Sequence, residues 1–131
     1  MKKLIYTLIL SLAVISFSCT GNILTSKEGD PLDPVENLDY ALVDEVVTLT
    51  WSLPAQYPSD IIQPVSVRVD IYCDGNLMEN PIVTDSPVLF SYNGYVPGKT
   101  YRFVVKVRGE VNTDDPYMAT VRLSPGRIVA L

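Results

Sequence analysis

The chain has 131 residues, ten basic and fifteen acidic side chains, a formal net charge of −5 and no histidine. That length fits one small domain, and the missing histidine removes the Ser-His-Asp and Cys-His nucleophile arrangements together with the usual zinc ligand. An acidic balance with no block of Lys or Arg argues against nucleic acid as a partner, because phosphate binding draws on clustered cations.

Lys2 and Lys3 precede an apolar run from Leu4 to Phe17, and small Ser18 stands directly before Cys19. A positive region, a short apolar stretch and a small residue predict an export signal over residues 1–18, shorter than the roughly 20 residues of a spanning helix. The segment around Cys19 resembles the lipobox of bacterial lipoproteins, with Ser16, Phe17 and Ser18 matching the looser pattern of Bacteroidetes-type members. The resemblance implies cleavage before Cys19, acylation of its thiol, and anchorage in the bacterial cell envelope, with the outer membrane expected. Several acyl chains are required, since each buried CH₂ contributes only ~0.8 kcal/mol. An ordinary signal peptide with an incidental cysteine, or an uncleaved anchor, also places the domain outside the cytoplasm.

Cleavage before Cys19 leaves 112 residues and, with Lys2 and Lys3 removed, a net charge of −7. Membrane attachment is then a property of the anchor, because an anionic lipid surface repels such a domain. With Cys19 acylated, Cys73 has no disulfide partner in the chain and is expected to pack as a small apolar side chain.

Residues 19–33 read as the acylated cysteine followed by a flexible tether rich in Gly, Ser, Thr, Asp and Pro. Its acidic Glu28, Asp30 and Asp33 resemble, weakly, the surface-export signals of such lipoproteins. The folded domain is expected over residues 34–131. Val35 to Leu42 form a first strand, and Val47, Leu49 and Trp51 alternate with polar neighbours in a second. Pro54, Pro58 and Pro64 punctuate a long loop holding Tyr57, Ile61 and Ile62. Alternation resumes at Val65 and runs through Cys73 into Asp74-Gly75, a tight hairpin pair, with the return strand beginning at Asn76. Pro81 and Pro87 restrict the following elements to short or edge strands. Val88, Phe90 and Tyr92 alternate into a turn at Asn93-Gly94, and Tyr101, Phe103, Val105 and Val107 supply another inward row. Gly109 to Pro116 reads as a polar loop, and Tyr117, Ala119, Val121 and Leu123 as the last inward row.

About seven short strands and no helix predict an all-β sandwich of two antiparallel sheets. VTLTW at 47–51 and YVPGKTYRFVVKV at 95–107 resemble a fibronectin type III domain, an immunoglobulin-like fold. The resemblance implies a buried Trp51, a turn at Pro97-Gly98, and a Tyr101 hydroxyl tied to nearby backbone; Tyr95 stands where the family has leucine. It implies spacer, adhesion or carbohydrate-accessory roles without choosing among them.

No cofactor, metal or catalytic residue is expected. Adjacent Asp114 and Asp115 are a weak calcium candidate, with a solvated loop the favoured account. Carboxylates suited to a glycoside hydrolase are present, but no pattern places two across a cleft. The candidate ligand contacts are Tyr57 and Ile61 in the proline-rich loop, Tyr117 near the last loop and, as a further exposed aromatic, Tyr72 on the wet face of its strand, because tyrosine joins a large apolar area to a polar tip. These readings point to a non-enzymatic, lipid-anchored module attached through Cys19 and serving a glycan or an envelope protein. A spacer or assembly subunit pairing through an exposed edge strand, with 121–131 as the candidate edge, is the alternative.

Overall fold

The computed structural model describes residues 29–85 and 87–131, and within them the chain is all-β. The expected export signal over 1–18 and the lipidation site at Cys19 lie outside the described residues. Nine strands follow in order: β1 (Glu36–Val43), β2 (Val46–Ser52), β3 (Ile61–Cys73), β4 (Asn76–Glu79), β5 (Ile82–Val83), β6 (Leu89–Tyr92), β7 (Tyr101–Val111), β8 (Val121–Leu123) and β9 (Arg127–Ala130). β1, β2 and β6 make one antiparallel sheet; β3 and β7 form the centre of the other, flanked by β4 and β5 on one edge and β8 and β9 on the other. The nine segments occupy seven strand positions, because prolines divide the edges. Pro81 separates β4 from β5, which both pair with β3, and Pro125 separates β8 from β9, which both pair with β7. The architecture is an immunoglobulin-like sandwich of the fibronectin type III kind.

The core follows from the period of two. Val47, Leu49 and Trp51 from β2 face Val65, Val67, Val69 and Ile71 from β3 and Tyr101, Phe103, Val105 and Val107 from β7, all buried. The Trp51 indole N–H donates to the Pro87 carbonyl at 2.7 Å, which satisfies its one polar atom inside the sandwich. Tyr101 forms the expected corner: its hydroxyl donates to the Gly94 carbonyl at 3.3 Å and accepts from the Val96 N–H at 2.9 Å. Tyr95 fills the leucine position with its ring 5.2 Å from that of Tyr101. Asp74 and Gly75 both take positive φ, as a two-residue hairpin with a right-handed strand twist requires, and Asp44-Glu45 do the same between β1 and β2.

Five expectations are corrected. The packed body begins before Pro34: Leu32 is 2 % exposed, so this end of the expected tether is core. The loop after Ser52 ends sooner, because Ile61 and Ile62 pair with Val111 and Glu110 and lengthen β3. β7 likewise runs on to Val111, burying Gly109 where a loop was expected. The final inward row does not form. Tyr117 and Ala119 are exposed and β8 has only three residues; Ser124 and Val129 close the core in their place. Val88 is exposed as well, leaving Phe90 and Tyr92 as the inward residues of β6.

Candidate functional site

One end of the sandwich gathers the 53–60 loop, the 112–120 loop and the start of the described chain. The Asn112 N–H donates to the Asp60 carbonyl at 2.8 Å, tying the two loops. Arg122 grips the Asp60 carboxylate with both ends of its guanidinium, Nη1 to Oδ1 at 3.0 Å and Nη2 to Oδ2 at 2.8 Å. These hydrogen bonds hold the Asp60 carboxyl below its ordinary range and raise Arg122 correspondingly. Gly29 lies against the same guanidinium, so closely that a β-carbon there would overlap it. Below this bridge Leu32 and Ile61 pack over Gly109, whose missing side chain makes their room.

The sequence candidates separate within this end. Ile61 is 6 % exposed and serves the core, too buried to be the ligand contact expected of it. Tyr57 is half-buried against the core, and that burial pushes its hydroxyl above the ordinary tyrosine value. Tyr117 is half exposed and stands free enough to meet a partner. Asp115 is occupied locally: its carboxylate accepts from the Tyr117 N–H at 2.9 Å while its own N–H donates to Thr113 Oγ1 at 3.1 Å. Among the described residues no three of His, Cys, Asp and Glu gather into a group fit to hold a metal ion. Nor does any described helix have the length and apolar character to cross a membrane. Free Cys73 is half-buried and packs against the core.

A second surface, where alternation places Tyr72, lies on the outer face of the β3–β7 sheet. Arg102 stacks on Tyr72 with its guanidinium carbon 4.3 Å from the ring centroid. The pair borders an open depression of about 300 Å³ lined also by Thr100, Tyr101, Ala130 and Leu131. Farther along, Asp70 is nearly buried between two cations: Arg68 Nη2 donates to its Oδ2 at 3.3 Å, Arg68 Nε lies 3.0 Å from Oδ1 outside hydrogen-bonding geometry, and Lys106 Nζ lies 3.6 Å from Oδ2. Arg108 lies 3.9 Å from Glu110.

A family model described as a domain of unknown function, DUF4945, matches residues 19–131. The chain belongs to the DUF4945 family. No curated protein matches it. Sequence reasoning reached the aromatic candidates of this DUF4945 domain but missed Arg102, Asp60 and Arg122. Pairings between residues 60 and 122, or 72 and 102, depend on strand register, and alternation shows which face a side chain takes without naming its neighbour.

Proposed function

We propose that this DUF4945 chain is a non-enzymatic, lipid-anchored module of the bacterial cell envelope, acylated on Cys19 and binding a glycan or protein as an accessory to larger machinery. The observation that carries the reading is the short distance between the lipobox-like cysteine and the packed body. Ten residue steps separate Cys19 from Gly29, a reach of at most about 35 Å even when fully extended. A family match opening at residue 19 supports the same boundary.

Anchorage there turns the end holding Tyr57, Tyr117 and the Asp60–Arg122 bridge toward the membrane. The opposite end, with the Asp44-Glu45 and Asp74-Gly75 turns, points away, and the outer sheet faces stand to the sides. Location thereby decides which surfaces meet partners.

The test replaces Cys19 with serine and follows membrane partition and fatty-acid labelling of the full chain. Loss of label with release from the membrane is the expected result; unchanged labelling overturns the anchor. Pull-down of envelope glycans and proteins with the full chain then tests the binding role, and Tyr117→Ala should weaken capture if partners meet the loop end.

A further inference from the structure

The outer faces of the two sheets carry opposite charge. β1, β2 and β6 contain Glu36 and Asp39 and no Lys or Arg, and Asp44 and Glu45 continue the acidic strip through the β1–β2 turn. Glu36 and Asp39 pair with exposed Ser52 and Thr50, which places both acids on the outer face. On the other sheet Arg102, Lys106 and Arg108 occupy outward positions of β7, and Arg68 lies beside Lys106 on β3. These are four of the seven Lys and Arg among the described residues, gathered on one face of an acidic protein. Asp70 and Glu110 offset two of them, so this face has a net of +2 against −2 from Glu36 and Asp39.

We propose that the two faces meet between copies: the β7 face of one molecule docks on the β1–β2 face of the next. The acidic face presents Thr48, Thr50, Ser52 and Ser91, short side chains that let long cationic ones approach the sheet closely. Arg102 is suited to lead the contact. Its stacking on Tyr72 orients the guanidinium, and among the described residues no carboxylate lies within ion-pair distance of it. Arg102 to Lys106 spans about 13 Å along the strand and Lys106 to Arg108 about 7 Å, so the cations form a strip rather than a point. A densely charged polyanion fits this molecule less well, since the net charge of −5 repels it over the rest of the surface.

Geometry fixes the kind of assembly. The faces differ, so the contact is heterologous and leaves a free face at each end of the pair, able to add further copies. Both faces flank the long direction of the sandwich while the chain arrives at one end, so copies held by that end can stack side by side. Three strands about 4.8 Å apart and roughly 25 Å long offer on the order of 350 Å² per partner, which puts the contact among weak, transient interfaces. Such a contact becomes populated where copies are concentrated, as on a shared membrane.

The test uses two differently tagged full chains expressed together and treated in intact membranes with a zero-length carbodiimide that joins carboxylates to Lys. The expected product is a ladder of dimers and higher species containing both tags, with Lys106 joined to Glu36 or Asp39 of another copy, and fading as salt rises toward about 1 M, where the screening length is about 3 Å. Arg102→Glu with Arg108→Glu, or Glu36→Lys with Asp39→Lys, carried by both tagged chains should each cut the mixed product roughly tenfold. Expressed together, one variant on each tag, they should restore mixed dimers, because one chain keeps an intact β7 face and the other an intact β1–β2 face; misfolding of either variant does not produce that recovery. Absence of mixed species from wild type, links joining like faces, failure of that recovery, or capture of an acidic polysaccharide by the β7 face of monomers overturns the proposal. Should the Cys19 anchor fail instead, the ladder is expected in the soluble fraction at higher protein concentration, so the two readings fail separately.

Discussion

At one end of the sandwich Tyr101 binds backbone at Val96 and Gly94, five and seven residues away; at the other, Leu32, Ile61 and Gly109 meet from three distant segments beneath an Asp60–Arg122 pair separated by 62 positions. The first end is a local device, closed by one turn and one hydroxyl. The second exists only after both sheets have formed. Apolar contact across long sequence separations carries more stability than a single hydrogen bond, so mutations should injure the loop end more than the corner. Leu32→Ala should be the most damaging, at about 2–5 kcal/mol, because a fully packed leucine leaves a cavity bounded by Ile61 and Gly109. Thermal or urea unfolding checks it; an unchanged midpoint would show that the body starts at Pro34 after all.

Gly109→Ala sharpens the same end from the opposite direction. A β-carbon at 109 would stand 2.9 Å from Ile61 Cγ2 and 3.3 Å from Leu32 Cδ1, so overpacking should cost about 1–3 kcal/mol. Adding Ile61→Val removes a methyl group beside the intruder, and the double variant should be more stable than the sum of the single changes. Strict additivity would mean that the three residues do not share one packed site.

At the corner, Tyr101→Phe keeps the ring and its contacts with Tyr92, Tyr95 and Phe103 while deleting the hydroxyl. The Val96 N–H then loses its acceptor, and the expected loss is about 1 kcal/mol. A larger loss would overturn the ranking of the two ends.

This contrast also explains what was legible beforehand. Trp51 and the alternating rows of β2, β3 and β7 announced two sheets, and the Pro97-Gly98 to Tyr101 spacing announced the corner, because each signal lies within about ten residues of its partner. Leu32 gave no such signal: a lone apolar residue among Gly, Asp and Pro looks like linker until a distant glycine makes room for it. Ile61 looks like a loop contact for the same reason, since its partner Val111 lies on β7. The 117–123 row failed because alternation over a short edge segment predicts register only when a neighbouring strand holds it, and β8 keeps just three paired positions. The Arg102–Tyr72 stack is a cross-strand pair whose register no single strand encodes.

The smallest effect should appear only in acid, and it compares the ends directly. Asp60 is held below its usual range first by the Arg122 hydrogen bond, and Asp74, at the far end, first by the backbone N–H of Thr100, which lies 3.0 Å from its Oδ1. A carboxyl whose folded value is depressed contributes stability above the unfolded value, near 3.9, and loses it as pH falls through the folded value. Asp60→Asn and Asp74→Asn should each lower stability at neutral pH and converge with wild type in strong acid, where the native carboxyls are protonated too. The Asp60 effect should shrink in high salt more than the Asp74 effect, because Asp60 is held first by a charged partner, Arg122, whereas at Asp74 the charge of Lys99 ranks behind the hydrogen bonds with Thr100. Unfolding midpoints measured against pH at two salt concentrations separate the pair; equal salt sensitivity would mean that Arg122 restrains Asp60 by hydrogen-bond geometry alone.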